Sequence, residues 1–383
     1  MKVHALLLTA MFAASALFGA PPAAATKVKY PRVERLKNGE QVRFHHALRP
    51  PFEVNGFPWR QPDSDVLERL PDHIRPPQVE KVVMWLKKHT SGGTVRFATD
   101  SPIIVFNATF RACADFAHMT RLNEAGFDLM LDCGTPAEKH LRVIPGAGRQ
   151  EIDGKEPFVR TVRIPGERKM REYTVFLPLY GGIKSLEIGV APGSRIAAPR
   201  PQRVKLPICF YGSSITQGCS ASRPANNYTT LLCRAVDAPQ VNLGFSGSAR
   251  GEEVMARAIA GLKLAAFVLD YDHNAYNPEH LRKTHERFFR IVREAQPTLP
   301  VIIVSGPKES DPDSRLRRDI IKATYDRAVA AGDENVYFVD GLTFFDEVPR
   351  RFATVDEVHP TDLGFYLMYR KILPVLKRAI GQK

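Results

Sequence analysis

Apolar and polar positions change their period once along the chain, near residue 200. Before it, short alternating stretches dominate: Thr94-Val95-Arg96-Phe97-Ala98-Thr99, the β-branched and aromatic run Ile103 to Phe106, and Gly126-Phe127-Asp128-Leu129-Met130-Leu131-Asp132. A period of two marks a strand with one buried face. Tyr173 to Leu179 and Leu186 to Val190 are strand-like too, and Gly181-Gly182 between them is a hairpin signal. Many short strands with turn residues between them predict a β-sandwich. Residues 26–75 are rich in Pro and Arg and lack a sustained period. They read as an arm wrapped on the body, anchored by Phe57 and Trp59, with a short helix over Val79 to Lys88 following.

Beyond the Pro-, Gly- and Arg-rich passage Ala191 to Arg203, the pattern becomes strand–helix alternation. Apolar runs at Val204–Tyr211, Val241–Phe245, Ala265–Leu269, Val301–Ser305 and Val336–Asp340 predict five strands. Helical patterns fall at Tyr228–Val236, Glu252–Leu262, Pro278–Ala295, Arg315–Ala331 and Leu363–Ile380. Strands apolar on both faces, alternating with helices, predict a parallel sheet between two helical layers. The chain thus divides into residues 26–200, an arm and β-sandwich domain, and residues 204–383, an α/β domain.

The first 25 residues have the form of an export signal: Met1-Lys2, an apolar run from Ala5 to Phe18, then Ala23-Ala24-Ala25. The apolar run is too short to span a bilayer. The expectation is cleavage near Ala25 and a secreted or periplasmic protein without stable membrane insertion. In an oxidising compartment nearby cysteines pair. Cys219 with Cys233 and Cys113 with Cys133 are the candidates, while Cys209, in an apolar run, reads as a buried thiol. Lys and Arg number 54 against 41 acidic residues, a net charge of +13. The basic residues form scattered pairs and no stripe with aromatics, so nucleic acid is not an expected partner. A positive field suits an anionic polysaccharide or cell envelope instead. No Cys or His spacing suggests a metal site, and no cofactor is expected.

Four segments carry candidate chemistry, each after a strand or in a late loop, where the active sites of such sheets lie. Gly212-Ser213-Ser214-Ile215-Thr216-Gln217-Gly218 follows the first strand. A small turn there holds a hydroxyl at the sheet edge as a nucleophile; the same pattern also serves as a phosphate cradle or a plain turn. Asn242-Leu243-Gly244-Phe245-Ser246-Gly247-Ser248 follows the second strand, where Gly lets the backbone approach a ligand and present an N–H. Asp270-Tyr271-Asp272-His273-Asn274 follows the third. Asn274 there is an oxyanion donor or a turn former, and the spacing of Asp270, Asp272 and His273 matches no metal site. Asp356-Glu357-Val358-His359-Pro360 precedes the last helix; a carboxylate three residues from an imidazole fixes its tautomer and stabilises its cation.

Taken in order, these four blocks resemble the SGNH (GDSL-type) hydrolase superfamily over residues 204–383. One departure is Ser213, which stands where the family's Gly-Asp-Ser has Asp. Ala221-Ser222-Arg223-Pro224 and Asp270-Tyr271-Asp272-His273-Asn274 look like a bacterial subgroup with its own N-terminal β-domain. Gly126-Phe127-Asp128-Leu129-Met130 is similar to that domain's Gly-x-Asp-Leu-Tyr, with Met130 for Tyr. The resemblance implies a flavodoxin-like three-layer parallel sheet preceded by a jelly-roll-like sandwich. It implies a cofactor-free serine esterase with Ser214 as nucleophile, His359 as base and Asp356 as its orienter. Ser214 and Gly247 N–H and the Asn274 side chain would hold the oxyanion. Arg223 either shapes the substrate pocket or serves the loop structurally. Similar two-domain proteins include carbohydrate acetylesterases, so the expected substrate is an acetylated polysaccharide or glycoside. The alternatives are a lysophospholipase or thioesterase of the same superfamily, and an inert carbohydrate-binding protein.

Overall fold

Five parallel strands form the sheet predicted for the second half of the chain. A computed structural model describes residues 29–307 and 312–382; the export signal read over residues 1–25 lies outside them. Across the sheet the strands run Gln240–Gly244, Ile208–Gly212, Ala266–Asp270, Val301–Val304, Val336–Val339. The first strand in sequence therefore sits between the second and third. Its residues alternate between two cores. Cys209 and Tyr211 pack on one face with Met255, Phe288 and Ile321, and Ile208 and Phe210 pack on the other with Tyr228, Leu232 and Phe365. Burial on both faces is why these strands read as continuous apolar runs. In register, Gly212 lies beside both Gly244 and Asp270, so the loops after the first three strands leave one edge side by side.

Residues 31–200 build two antiparallel sheets. One runs Arg32–Arg35, Gln41–His46, Gly182–Val190, Ile103–Arg111, Phe158–Arg163, and the other runs Ile196–Ala197, Thr94–Thr99, Arg171–Phe176, Phe127–Leu131, Lys139–Ile144. Phe106, Phe158 and Ile188 of the first meet Phe97, Phe127 and Tyr173 of the second in one core. The described residues from 31 onward form one compact unit.

Several expectations are corrected here. The stretch read as a period-free arm supplies three strands, Arg32–Arg35, Gln41–His46 and Glu53–Asn55. Its alternation is too brief to register, and pairing with longer strands decides it. Both expected anchors do pack, Phe57 into the core between the antiparallel sheets and Trp59 against the α/β core. Of Val79 to Lys88 only Val83–Leu86 is helical, with no side chain capping its start. Tyr173–Leu179 and Leu186–Val190 make no hairpin: Arg171–Phe176 and Gly182–Val190 belong to different sheets. Gly181-Gly182 serves close packing at that crossing. A Cβ on Gly181 would stand 2.0 Å from the Glu124 carbonyl oxygen, and one on Gly182 2.3 Å from that of Lys88. All five cysteines are free thiols, so neither expected disulfide forms. Cys219 Sγ faces His118 and Ser220, whereas Cys233 is buried in the core near Cys209. Cys113 lies against Gly181, and Cys133 beside Met130 and Phe176.

Gly181→Ala should lower stability by about 1–3 kcal/mol, because backbone must move to admit the methyl. Gly261→Ala, whose Cβ would meet nothing closer than 3.6 Å, should be neutral or stabilising. Denaturant midpoints of the two variants test the difference, and equal midpoints would refute the close-packing role.

Candidate active site

Ser214 opens a four-residue helix, Ser214–Gln217, that begins where the first parallel strand ends. Gly212 permits this abrupt change: a Cβ there would lie 2.0 Å from Thr216 Oγ1 and 2.2 Å from the Asp270 carbonyl oxygen. Ser213 caps the helix, its Oγ accepting the Ile215 N–H at 3.2 Å. Gly218 closes it in the left-handed region, φ +104°. The Ser214 side chain is thereby held at the carboxyl edge of the sheet in a residue only 8% exposed.

His359 arrives from the loop before the last helix, Asp362–Ala379. Its Nε2 lies 2.8 Å from Ser214 Oγ and its Nδ1 2.7 Å from Asp356 Oδ2. With Nδ1–H donating to the carboxylate, Nε2 is left to accept the serine hydroxyl. Asp356 Oδ1 also accepts the backbone N–H of His359 at 2.7 Å and of Val358 at 3.1 Å. Burial alone would raise the Asp356 pKa, but the backbone and ring hydrogen bonds from His359 and its charge hold it below the usual aspartate value. Three residues, the outermost 145 positions apart, thus meet in one hydrogen-bonded chain. The arrangement can move a proton from a hydroxyl to an imidazole whose cation a carboxylate stabilises.

The remaining expected site residues lie around this chain in different ways. Asn274 Nδ2 donates to the Phe245 carbonyl at 3.0 Å, tying the loop after the third strand to the loop after the second. Gly247, in that second loop, has φ +65° and open space where a Cβ would be. Ser246 N–H donates to Gln217 Oε1 at 3.1 Å, joining the same loop to the serine's helix. Arg223 Nη1 lies 3.2 Å from Asp128 Oδ1 and 2.5 Å from His140 Nε2, both in the first half of the chain. Asp270, pushed up to about 8 by burial and then by the Asp272 charge, accepts from Tyr228 Oη at 2.7 Å and Thr216 Oγ1 at 2.9 Å. Asp272 Oδ2 accepts the Gly306 N–H at 2.9 Å, so the two aspartates serve separate partners.

Residues with no signature of their own in the sequence hold the site from behind. Arg69 is fully buried, and its guanidinium donates to the carbonyls of Asn242 (3.0 Å), Gly244 (2.6 Å), His89 (3.0 Å) and Leu86 (2.7 Å). Burial pushes its pKa down to about 9, which leaves it charged at neutral pH. Burial, then the Arg69 charge, push His89 down to about 3, so its neutral Nδ1 accepts from Gln217 Nε2 at 3.0 Å. Asp128, fully buried, accepts the Ala225 N–H at 2.7 Å. Met130, the residue in place of Tyr, packs beside that same Ala225. His118, from the first half of the chain, stacks on His359 with ring centroids 5.7 Å apart.

Residues 205–377 match the model of the GDSL-like lipase/acylhydrolase family, and residues 42–196 match that of the GxDLY domain, the N-terminus of SGNH hydrolase-type esterases. The second half of the chain thus belongs to the GDSL-like lipase/acylhydrolase family, and both matches are to SGNH-type hydrolases. It is accordingly a carboxylic ester hydrolase. No curated protein matches it. Among solved structures, a candidate GDSL-like lipase from Bacteroides ovatus ATCC 8483 is 25% identical with TM-score 0.77, over 89% of this chain and 99% of that one. The salicylyl-acyltransferase SsfX3 of a tetracycline biosynthetic pathway is 17% identical with TM-score 0.67, over 88% and 99%. A family two carbohydrate esterase from Clostridium thermocellum, solved with cellohexaose, is 14% identical with TM-score 0.55, over 76% and 93%. In this GDSL-like protein the GxDLY aspartate is Asp128, and its contacts give that position a physical role: it ties the β-sheets to the segment just after the serine's helix. Among the described residues no helix is long and apolar enough to cross a membrane.

A carboxylate with a depressed folded pKa contributes stability above its unfolded pKa and loses it as pH falls through the folded value. Wild-type protein should therefore exceed Asp356→Asn in stability near neutral pH, and the gap should close on acidification below the ordinary aspartate range. Urea melts of both proteins across pH test this; a gap independent of pH would remove the ionised Asp356 from the account.

Proposed function

We propose that this protein is an exported serine esterase that removes acyl groups, acetyl foremost, from a carbohydrate ester. The observation that carries the reading is the hydrogen-bonded chain from Ser214 Oγ through His359 to Asp356, with links of 2.8 and 2.7 Å. In the proposed reaction Ser214 Oγ attacks the ester carbonyl carbon while His359 Nε2 takes the hydroxyl proton. The tetrahedral intermediate collapses, His359 returns that proton to the departing sugar oxygen, and an acyl-serine remains. Water, deprotonated by His359, then releases the acid and restores the hydroxyl. Asp356 stays ionised throughout and steadies the imidazolium.

The oxyanion is held by the N–H groups of Ser214 and Gly247 and by Asn274 Nδ2. Ser214 is the first helical residue, where an N–H has no intrahelical carbonyl to serve. Gly247 offers a backbone unobstructed by any Cβ. Asn274 Nδ2 spends one hydrogen on Phe245, which fixes the amide plane and leaves the second hydrogen to donate. The likeness to a carbohydrate esterase solved with cellohexaose favours a sugar ester, and the export signal read over residues 1–25 favours action outside the cytoplasm. We read residues 26–200 as a jelly-roll-like sandwich domain, which two antiparallel sheets on one core support, and residues 204–383 as the hydrolase domain.

Purified protein should release acetate from acetylated xylan or mannan oligosaccharides. Ser214→Ala should lower turnover at least roughly 10⁴-fold, and Asn274→Ala about 10²–10³-fold. Acetate release by Ser214→Ala at the wild-type rate would sink the mechanism. Preference for long-chain lysophospholipid over acetylated sugar would sink the substrate assignment, and failure to label with a fluorophosphonate would make the protein an inert binder.

A further inference from the structure

The spacing of Cys and His along the chain gives no sign of a metal site, yet the fold assembles one arrangement of donors at the serine. His118, Cys219 and His359 each offer a ligand atom, and the three atoms lie within 4.8 Å of one another. Cys219 Sγ stands 3.4 Å from His118 Nε2. A tetrahedral zinc ion with bonds of about 2.3 Å to sulfur and 2.0–2.1 Å to nitrogen spaces its ligands at about 3.4–3.6 Å. One edge of such a tetrahedron is therefore already present, and modest ring movement closes the others. The His118 ring is held between two others: it stacks on Phe116 at 5.8 Å and on His359 at 5.7 Å, each with planes about 25° apart. His359 has Nδ1 engaged by Asp356, which leaves Nε2 as the nitrogen that faces a cation. A carboxylate on the far nitrogen is the arrangement that orients and strengthens an imidazole ligand. Ser214 Oγ, 2.8 Å from that Nε2, or a water supplies the fourth position.

We propose that His118, Cys219 and His359 form a site for a thiophilic divalent cation of the zinc class, and that occupancy switches the esterase off. On binding, the Sγ–H bond breaks, its proton leaves to solvent, and a metal–sulfur bond forms. The lone pair of His359 Nε2 becomes a metal–nitrogen bond and no longer accepts the Ser214 proton. Inhibition, unlike binding, rests on the proposed catalytic role of His359. Thiolate and imidazole donors select zinc-like ions over magnesium or calcium, which prefer oxygen. Cys219 follows the serine's helix and His359 is the proposed base, while His118 comes from the GxDLY domain, so the site needs both halves of the chain.

Equilibrium dialysis with zinc chloride alone tests the site. Wild-type protein and Ser214→Ala should each hold one zinc that Cys219→Ser and His118→Ala bind at least about 10–100-fold more weakly. Thermal unfolding without metal checks that each variant is folded, and His118, exposed on the surface, gives a variant that leaves the core untouched. In wild type, turnover of a chromogenic acetyl ester should fall with zinc at the same midpoint as binding and return with a chelator. The ratio of rates with and without zinc should approach one in His118→Ala. Zinc held by both ligand variants as tightly as by wild type would overturn the site. Zinc bound there without loss of turnover would overturn the switch. An absence of esterase activity in chelator would count against the proposed function, while the dialysis of Ser214→Ala and the ligand variants would still decide the site.

Discussion

A helix of four residues cannot satisfy its own carbonyls, and the position of Ser214 depends on how that shortage is met. Three of its four carbonyls take a donor from outside the helix, and the fourth, Ile215, takes the N–H of the capping Gly218. The Ser214 carbonyl takes the N–H groups of Gly218 and Cys219 and the Tyr180 hydroxyl. The Thr216 carbonyl takes Asn242 Nδ2 at 2.7 Å, and the Gln217 carbonyl takes Ser91 Oγ at 2.6 Å. Asn123 Nδ2 serves both Gly218 and Ala221 at 2.8 Å. A buried carbonyl without a partner costs about 1–3 kcal/mol, so the turn keeps this shape only while those donors stay in place. Tyr180, Ser91 and Asn123 all lie in the first 200 residues. Loops and the short helix Arg121–Ala125 of the first half therefore brace the turn that carries Ser214.

Arg69 applies the same logic to the loop after the second parallel strand. Removing a cation from water costs several kcal/mol unless its hydrogen bonds are replaced. Here carbonyls of two neighbouring segments replace them, and the Phe245 ring covers the guanidinium at 4.6 Å. Two of those carbonyls, Asn242 and Gly244, belong to the segment that leads into Gly247. The buried charge thus fixes where that backbone leaves the sheet and raises the local positive potential beside the proposed oxyanion site.

What the sequence discloses follows from the range of the interactions involved. The five parallel strands are legible because burial on both faces writes itself into every residue of a run such as Ile208-Cys209-Phe210-Tyr211. The four motif blocks are legible because each is a local turn with its own chemistry. Their meeting is not local, and only the resemblance to a family brought Ser214 and His359 together in advance. The supporting donors left no trace for the opposite reason: Ser91, Asn123 and Arg69 are ordinary residues whose partners lie 126, 95 and 173 positions away. Gly181-Gly182 misled because two glycines mark either a turn or a close approach, and only the neighbour across the gap, the Glu124 carbonyl, tells which. The cysteine pairs misled because sequence separation says nothing of which core each thiol enters.

The two ends of the Ser214–His359 link are placed by different physics. Long-range donors from both halves of the chain hold the serine. A short loop holds the histidine almost alone: Asp356 accepts two backbone N–H groups from within three residues, Glu357 turns the chain at φ +64°, and the Val355 N–H returns to the His359 carbonyl at 2.9 Å. The Asp356 side chain remains 41% exposed, so this loop draws little support from a core. Ser214, the proposed nucleophile, is thus fixed by many partners, and His359, the proposed base, by few. That asymmetry suits the proposed reaction, in which the imidazole serves first the serine oxygen and then the leaving oxygen. It also leaves His359 within reach of a neighbour such as His118, whose ring shares its face while sitting in the other half of the chain.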